Sequence, residues 1–226
     1  MYKYETHLHT SPVSECASAS VEQQLTFYKK LGYDGVFITN HFLDGNINIE
    51  SNKSYEEKLN FYCSDYEKGV EFGKKIGIKV FFGAELAYKG TDFLVYGLDK
   101  EWFFKHPEIM NMTKREELKF MMDSGALVIQ AHPYREAFYI DHIRLFPRSV
   151  HGIEILNANR PDFENDMAKL YAEHYSLLPF AGSDNHVGEK QPKLAGLAFE
   201  TPILDEADFV RRVKNKEGEI FARVND

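Results

Sequence analysis

A pair of histidines near the amino terminus is the first group of residues that could do chemistry. His7 and His9 stand at the end of residues 2–8, which are predicted as the first β-strand. Because residues two apart on a strand point to the same face, both imidazoles can enter one pocket. Imidazole is a common ligand of zinc and similar transition metals. The pair therefore predicts half of a metal site, although two polar residues on an edge strand would show the same spacing.

The same residue types recur at the ends of other apolar runs. Five of the nine histidines and two carboxylates lie at or just after such an end. These seven residues are His7, His9, His41, Glu85, His132, Asp184 and His186. Chance would scatter them over helices and loops, whereas a parallel α/β barrel gathers the C-terminal ends of its strands at one rim. The pattern therefore predicts one shared site built from several strands.

Five motifs in order give the chain a resemblance to a known superfamily. They are His7-Leu-His9-Thr10, Ile38-Thr-Asn-His41, Gly83-Ala-Glu85, Gln130-Ala-His132-Pro133 and Gly182-Ser-Asp184-Asn-His186. In these motifs, which span most of its length, the chain resembles the polymerase and histidinol phosphatase (PHP) superfamily of metal-dependent phosphoesterases. The resemblance implies an α/β fold, a distorted (β/α)7 TIM-like barrel with the metal site at the C-terminal ends of the strands.

Alternating strands and helices are predicted to position these residues. Apolar runs predict strands, and capping boxes and glycine stops mark the helix ends. The predicted strands cover residues 2–8, 35–39, 78–84, 91–98, 126–130, 152–156 and 177–181. The predicted helices cover residues 20–31, 54–76, 113–124, 161–175 and 205–216. The alternation predicts one domain, residues 1–226, with a mostly parallel sheet. An open sheet fits the composition equally well, but it would hold ligands from its first and last strands far apart.

Composition limits the classes of function. With 226 residues, 43% hydrophobic and 27% charged, the chain is typical of a globular protein with one sizeable core. The net charge of −8 argues against a nucleic-acid partner, which needs a basic face. No apolar run approaches the roughly 18 residues of a membrane span, so no membrane partner is expected. Because Cys16 and Cys63 do not make a disulfide framework, a cytoplasmic protein is expected, while the oligomeric state stays open.

The resemblance implies two to three divalent metal ions as cofactors. Listed by metal, the implied ligands are His7, His9, Glu85 and Asp184 for the first, His132 for the second, and His41 with His186 for the third. Glu85 is the implied bridging ligand because a carboxylate has two oxygens to share. Imidazole and carboxylate suit zinc, manganese or iron, and the choice among these metals stays open.

Two further positions have open interpretations. Relatives often carry a metal ligand in the loop after the His-x-His pair, where this chain has Glu15 beside Cys16. Glu15 is a candidate for the third metal or a solvated loop carboxylate, and Cys16 is an alternative ligand or a small buried thiol. Relatives also often carry a histidine after the fourth strand, where this chain has Asp99, a candidate ligand of the second metal.

The implied chemistry is hydrolysis of a phosphomonoester by a metal-bound water, with no protein nucleophile. Neighbouring metal ions polarise a phosphoryl oxygen and lower the pKa of water. The sequence contains no Gly-x-Ser-x-Gly elbow and no P-loop, which would indicate other chemistry. Arg135 and Arg160 follow strand ends and are predicted to bind the substrate phosphate, because guanidinium matches phosphate geometry.

The favoured function is a metal-dependent phosphatase acting on a small phosphorylated metabolite. Within the family, histidinol phosphate and nucleotide monophosphates are both suitable substrates. One alternative is a non-catalytic, metal-binding regulatory module of the kind found in replicative polymerases. The other is an amidohydrolase-like hydrolase, which also begins with a His-x-His strand but expects a lysine bridging its metals. Here Glu85 takes that role, and no lysine follows a strand at a comparable position.

Overall fold

The computed structural model describes residues 1–225, which form one mixed sheet surrounded by helices. The strands are β1 (Tyr2–Glu5), β2 (Gly35–Ile38), β3 (Lys79–Tyr88), β4 (Thr91–Tyr96), β5 (Leu127–Ala131), β6 (Gly152–Asn157), β7 (Leu178–Gly182), β8 (Lys193–Phe199) and β9 (Glu219–Val224). The helices are α1 (Val21–Lys30), α2 (Tyr55–Ile76), α3 (Lys100–Lys105), α4 (Lys114–Asp123), α5 (Asp162–Tyr175) and α6 (Glu206–Lys214). Among the helices of residues 1–225, none is both long and apolar enough to cross a membrane.

The sheet curls into a nearly closed barrel. Its strand order is β7-β6-β5-β4-β3-β2-β1-β8-β9, so β1 and β7 are not hydrogen-bonded as regular neighbours. The chain just beyond them meets nevertheless, because Leu8 forms a parallel bridge with Asn185. The Thr6 hydroxyl also donates a hydrogen bond to the carbonyl oxygen of Ala181. The ends of β1 and β7 therefore lie side by side, as the predicted site requires.

The expectation of an α/β, barrel-like fold is confirmed, whereas seven parallel strands do not describe the sheet. Nine strands are present among the described residues, and β4 runs antiparallel to both β3 and β5. The reversal follows from a two-residue turn at Lys89 and Gly90, whose φ angles are 51° and 81°. Positive φ at both central positions is typical of a hairpin turn, which joins antiparallel strands directly.

The C-terminal part of the chain adds two strands that were not predicted. β8 runs antiparallel to β1, and β9 runs antiparallel to β8 after the predicted terminal helix, here α6. Small residues in β8, such as Ala195 and Gly196, weaken its apolar signal in the sequence. Gly196 has a specific reason: a Cβ there would overlap the carbonyl oxygen of Tyr4 on the neighbouring strand.

Helix starts were predicted most accurately. Capping boxes at Ser20, Ser54 and Thr113 all form, each with the side chain three residues later bonding back to the cap. These caps begin α1, α2 and α4 where the sequence indicates. The short helix α3, which contains the aromatic residues 102–104, is not among the predicted helices.

Aromatic side chains fill one end of the barrel. Phe209 of α6 packs against Phe37 of β2 and Tyr96 of β4, with ring centroids 4.1 and 5.3 Å apart. Phe81 and Phe180 join the same buried cluster from β3 and β7. We call this group the aromatic floor, and it leaves the opposite end of the barrel for polar side chains.

Candidate metal centre

The predicted polar residues meet at the C-terminal ends of the parallel strands. Their ligand atoms form three groups, in each of which the atoms all lie within 4.8 Å of one another. The groups are His7 with Glu85 and His132, His7 with His9 and Asp184, and His9 with His41 and His186. All seven residues predicted from the ends of apolar runs therefore lie in one place, which we call the rim.

Glu85 is at the middle of the rim. Its Oε1 lies 3.1 Å from Nε2 of His7 and 3.3 Å from Nε2 of His132. Its Oε2 lies 3.3 Å from Nε2 of His9 and 2.8 Å from Nδ1 of His41. Burial opposes ionisation, but the neighbouring His41 and His7 hold the pKa of Glu85 well below its usual value. An anionic carboxylate with each oxygen between two imidazoles has the arrangement of a bridging ligand.

Asp184 is a second anionic carboxylate among the histidines of the rim. Its Oδ1 lies 3.5 Å from Nε2 of both His7 and His9 and 3.4 Å from Nδ1 of His186. Burial opposes ionisation here too, but His7 and its neighbours hold the pKa of Asp184 well below its usual value. Asp184 and His132 also have positive φ angles, 53° and 22°, which are uncommon for residues other than glycine. Strained backbone of this kind is concentrated at functional sites.

Several buried atoms of the rim fit a cation. Oε2 of Glu85 and Nδ1 of His41 are buried and make no hydrogen bond, although they are only 2.8 Å apart. The Nε2 atoms of His7 and His9 face each other at 3.2 Å. Unpartnered polar atoms are rare in protein interiors, and an ion is one explanation for them. The nitrogen and oxygen donors suit zinc, iron or manganese.

Protonation at the rim is consistent with metal binding. Burial, together with the nearby His186 and His41, lowers the pKa of His9 to about 4, so this imidazole is neutral and able to ligate. Burial also disfavours protonated His7, yet Glu154, Asp184 and Glu85 raise its pKa well above the usual value. Protons on such histidines balance the buried carboxylates, and a divalent cation can supply the same positive charge.

A second layer of side chains orients the candidate ligands. Oε1 of Glu154 lies 2.8 Å from Nδ1 of His7, and Oγ of Ser14 lies 3.1 Å from Nδ1 of His9. Asn157 donates from Nδ2 to Oδ2 of Asp184 at 3.3 Å. A metal-bound histidine usually bonds through its other nitrogen to such a partner, which fixes the ring and its tautomer. Glu154 was not predicted, although a charged residue inside the apolar run of β6 is a signal for it.

Asp92, rather than Asp99, lies beside His132. Oδ2 of Asp92 lies 3.9 Å from Nε2 of His132, and the residue is buried. Asp99 is exposed and lies outside the three groups, where its Oδ1 accepts a hydrogen bond from the backbone N–H of Trp102 at the start of α3. The expectation for Asp99 is corrected because β4 is reversed, which brings its first residues to the rim and its last residues to the opposite end.

Cys16, rather than Glu15, faces the rim. Glu15 is exposed and belongs to none of the three groups, so the structure does not support it as a ligand. Cys16 lines the same cavity as Glu85, His41 and His186, although its thiol, like the Glu15 carboxylate, belongs to none of the three groups. Partial burial raises the pKa of its thiol, but these two histidines outweigh that effect and lower it to about 6.

Both predicted arginines line the cavity above the rim, which has a volume of about 580 Å³. Nη1 of Arg135 lies 3.5 Å from Oδ2 of Asp92, and its Nη2 donates to the hydroxyl of Tyr139 at 2.8 Å. Its Nε is buried and has no partner. Arg160 is engaged by Glu164, to which Nε and Nη2 donate at 2.6 and 2.7 Å. Arg135 therefore keeps more free donor capacity than Arg160.

Solved structures supply the comparison with known proteins. No family model and no curated protein matches this sequence. A Bacteroides vulgatus two-domain protein containing a predicted PHP-like metal-dependent phosphoesterase has a similar structure, with a TM-score of 0.69 and 13% identity over 97% of this chain. A candidate metal-dependent phosphoesterase from Bifidobacterium adolescentis has a TM-score of 0.59 and 13% identity over 96% of this chain. An amidohydrolase from Chromobacterium violaceum, with bound sulfate and no metal, has a TM-score of 0.57 and 12% identity over 97% of this chain.

These likenesses concern the fold. The chain spans 64% of the two-domain protein and 97% of each of the other two chains. It therefore shares the fold of PHP-like phosphoesterases, which confirms the resemblance given by its five motifs at the level of structure. The rim adds His, Glu and Asp groups that could hold metal in that fold.

Proposed function

We propose that the protein is a metal-dependent phosphoesterase that hydrolyses a small phosphorylated metabolite of the histidinol phosphate or nucleotide monophosphate type. The observation that carries this proposal is Glu85, whose two buried oxygens are each shared between two histidines. Such an arrangement suits a carboxylate that bridges two cations. The PHP-like neighbours and the arginine beside the rim support the same function.

The proposed ligands are the seven residues of the rim together with Asp92, which lies beside His132. His7, His9, Glu85 and Asp184 would hold one cation; Glu85, His132 and Asp92 a second; His41 and His186 a third. When bound, divalent cations would neutralise phosphoryl charge and lower the pKa of a water molecule. Zinc, manganese and iron all suit these donors, so two to three of such ions are proposed.

The protein's own side chains would orient the phosphate. Arg135 has a buried, unpartnered Nε and lies beside Asp92, which holds its guanidinium toward the cavity. A guanidinium can donate two parallel hydrogen bonds to a phosphate, and this fixes the orientation as well as the affinity. Glu154 and Ser14 would keep the rings of His7 and His9 in place while the phosphate is bound. Arg160 would have a smaller role because Glu164 already engages it.

The test combines metal content with hydrolysis of p-nitrophenyl phosphate. We expect purified protein to hold two to three divalent ions per chain and to lose activity in chelator. His132→Ala and Asp184→Ala should each lower kcat/KM by at least about 100-fold, because even residues that only orient ligands are worth 10–100-fold. His174→Ala is the matched control, because His174 is exposed on α5 and should leave the rate unchanged.

Other outcomes would select the alternatives. Full metal occupancy without phosphoester hydrolysis under any divalent ion would favour the non-catalytic module. Hydrolysis of p-nitrophenyl acetate or an anilide, but not of the phosphoester, would favour an amidohydrolase-like enzyme. Protein that binds no metal under any condition would contradict the proposal as a whole.

A further inference from the structure

A tyrosine stands in the wall of the cavity, directly against the arginine that is proposed to bind phosphate. The hydroxyl of Tyr139 accepts a hydrogen bond from Nη2 of Arg135 at 2.8 Å, and Cζ of Arg135 lies 5.7 Å from the centre of the tyrosine ring. Phe138 meets this ring edge-on, with centroids 5.2 Å apart. Tyr139 is nevertheless 60% exposed, so much of its ring is left uncovered at the mouth of the cavity.

The loop that carries this tyrosine is tied to the turn between β3 and β4. Nη1 of Arg144 donates to the carbonyl oxygen of Lys89 at 2.7 Å. The side chain of Ile140 packs so closely on Gly90 that a Cβ there would lie 2.9 Å from it. Within the loop, Ile140 N–H donates to the Ala137 carbonyl at 2.9 Å. The ring is therefore held at the cavity by a braced loop, although it is not buried in the core.

The rest of the cavity wall is polar, charged or small. Histidines, carboxylates, asparagines, lysine and arginines make up most of it, and Cys16, Ala87 and two glycines are its small residues. Tyr139 carries the one phenol or phenyl ring among the described residues that line this cavity. An apolar part of a bound molecule therefore has a single large apolar surface to contact, and that surface is flat.

The arginine and the ring suit two parts of one molecule. A phosphoryl group held by Arg135 would bring the substituent on its ester oxygen close to Tyr139, because the two side chains are in direct contact. Aromatic rings associate in offset-stacked or edge-to-face arrangements, and such pairs gain more than the burial of their area alone. A flat substituent would gain this contact, whereas a saturated one would not.

We propose that Tyr139 determines specificity by stacking against a planar ring in the leaving group of the substrate, while Arg135 holds the phosphate. The proposal rests on the phosphoesterase function proposed above and deepens it by naming the substrate class. That class is phosphomonoesters whose organic part carries an aromatic or heteroaromatic ring. Esters of saturated alcohols would be poorer substrates.

Two ligands that cannot be hydrolysed test the ring directly. Phenylphosphonate and cyclohexylphosphonate have the same number of ring atoms, and above the second pKa of both they carry the same charge. Titration calorimetry with the metal-loaded protein measures both affinities without turnover. We expect wild type to bind phenylphosphonate about 3- to 10-fold more tightly, the range that an aromatic pair provides. Simple apolar burial would favour the saturated ring, so the sign of the preference identifies stacking.

Three variants assign the preference to one side chain. Tyr139→Leu should lose the preference for phenylphosphonate. Tyr139→Phe should keep it but bind both ligands more weakly, because the hydroxyl that holds Arg135 is gone. Phe163→Leu is the matched control: Phe163 is 61% exposed on α5 and lies outside the cavity, so both affinities should stay as in wild type. Metal content should be the same in all three variants.

The outcomes separate this proposal from the function beneath it. Hydrolysis of p-nitrophenyl phosphate with equal affinity for the two phosphonates would overturn the role of Tyr139 and leave the phosphoesterase intact. A preference that survives Tyr139→Leu, or is lost in Tyr139→Phe, would also overturn it. A preference that depends on the tyrosine ring, in protein that hydrolyses no phosphoester, would support the ring contact and contradict the phosphoesterase. Metal-loaded protein that binds neither phosphonate and hydrolyses no phosphoester would contradict both proposals.

Discussion

The two ends of the barrel interior are built by the same strands from different side chains. Four strands each carry one aromatic residue of the floor, and four positions away along the chain a polar residue lies at the opposite end of the barrel. These pairs are Phe37 with His41, Phe81 with Glu85, Tyr96 with Asp92, and Phe180 with Asp184. In β3 and β4, which contain both members of their pairs, side chains alternate, so residues four apart share a face and lie about 13 Å apart. Floor and rim are therefore two levels of one interior.

The aromatic floor contributes mainly to stability, whereas the polar rim is arranged for function. The floor gains from apolar burial and aromatic contact, both of which favour folding. The rim buries Glu85 and Asp184, whose charges are costly to remove from water unless they are partnered. The histidines of the rim hydrogen-bond to these carboxylates or lie beside them, and a bound cation would add positive charge. Changes at the floor should consequently affect stability, and changes at the rim should affect metal binding.

The largest expected effect is at the floor. Phe209→Ala should reduce the free energy of unfolding by about 3–5 kcal/mol, because it empties the centre of the aromatic cluster. Urea denaturation measures this loss. Phe138→Ala is the same substitution at a residue that is 102% exposed and should change stability by less than about 0.5 kcal/mol. Equal losses in the two variants would show that Phe209 does not pack at the centre of the aromatic floor.

A pH-dependent effect is expected beside the rim, at Glu5. Burial raises the pKa of Glu5 to about 7, although Ser183 and His7 donate backbone hydrogen bonds to it. Because the folded state holds this proton more tightly than the unfolded state, stability is fully present below about pH 4.5 and is lost as pH rises through 7. A shift of this size corresponds to roughly 3 kcal/mol at most.

Glu5→Gln isolates that effect because it mimics the protonated carboxyl. Urea denaturation in chelator, at pH 5 and at pH 8, should show wild type losing stability between the two values and the variant losing much less. A difference between the two proteins that stays constant with pH would contradict the raised pKa of Glu5.

The same two levels explain which features could be predicted from sequence. Where a strand is parallel, an apolar run is followed by its ligand, and this order indicated His41, Glu85, His132 and Asp184. In β4 the order is inverted, and Asp92 comes before the run that ends at Tyr96. Reading it as a parallel strand led to Asp99. The turn at Lys89 and Gly90 determines the direction, and Lys-Gly is a weaker hairpin signal than Asn-Gly or Asp-Gly.

Other features depended on side-chain direction. Glu15 and Cys16 are adjacent, and only the hydrogen bonds of their loop decide which one faces the rim. Glu154 acts through His7 rather than from the end of an apolar run, and it lies 147 positions away in sequence. β8 pairs antiparallel with β1, and β9 pairs antiparallel with β8; no sequence motif encodes either pairing. Local patterns therefore predicted the rim residues that follow parallel strands, while contacts distant in sequence fixed the rest.

An intermediate effect is expected from the layer that supports the rim. Glu154→Gln should weaken metal binding by about 10–100-fold, because Glu154 orients His7 through Nδ1 and also accepts from the backbone N–H of His132. Competition with a metal-sensitive dye measures the affinity. Glu173→Gln makes the same change at an exposed position of α5 and should have no effect. Unchanged affinity in Glu154→Gln would place His7 outside the metal centre.

The smallest effects are expected above the rim, where the two arginines differ. Arg135→Lys should raise KM for p-nitrophenyl phosphate about tenfold or more, because a lysine cannot donate two parallel hydrogen bonds to phosphate. Arg160→Lys should raise KM less than about threefold, because Glu164 already takes two of its donors. Metal content should stay the same in both variants, which distinguishes phosphate binding from damage to the rim.

The reverse order of the two KM effects would assign the phosphate to Arg160 and move the substrate toward α5. An equal loss of metal in both variants would instead mean that the two guanidinium groups help to hold the side chains of the metal centre in place. The arginines therefore test whether the cavity is divided into two levels in the same way as the barrel beneath it, with metal ligands below and phosphate donors above. Arg135 is the decisive one, because its contact with Asp92 connects those two levels.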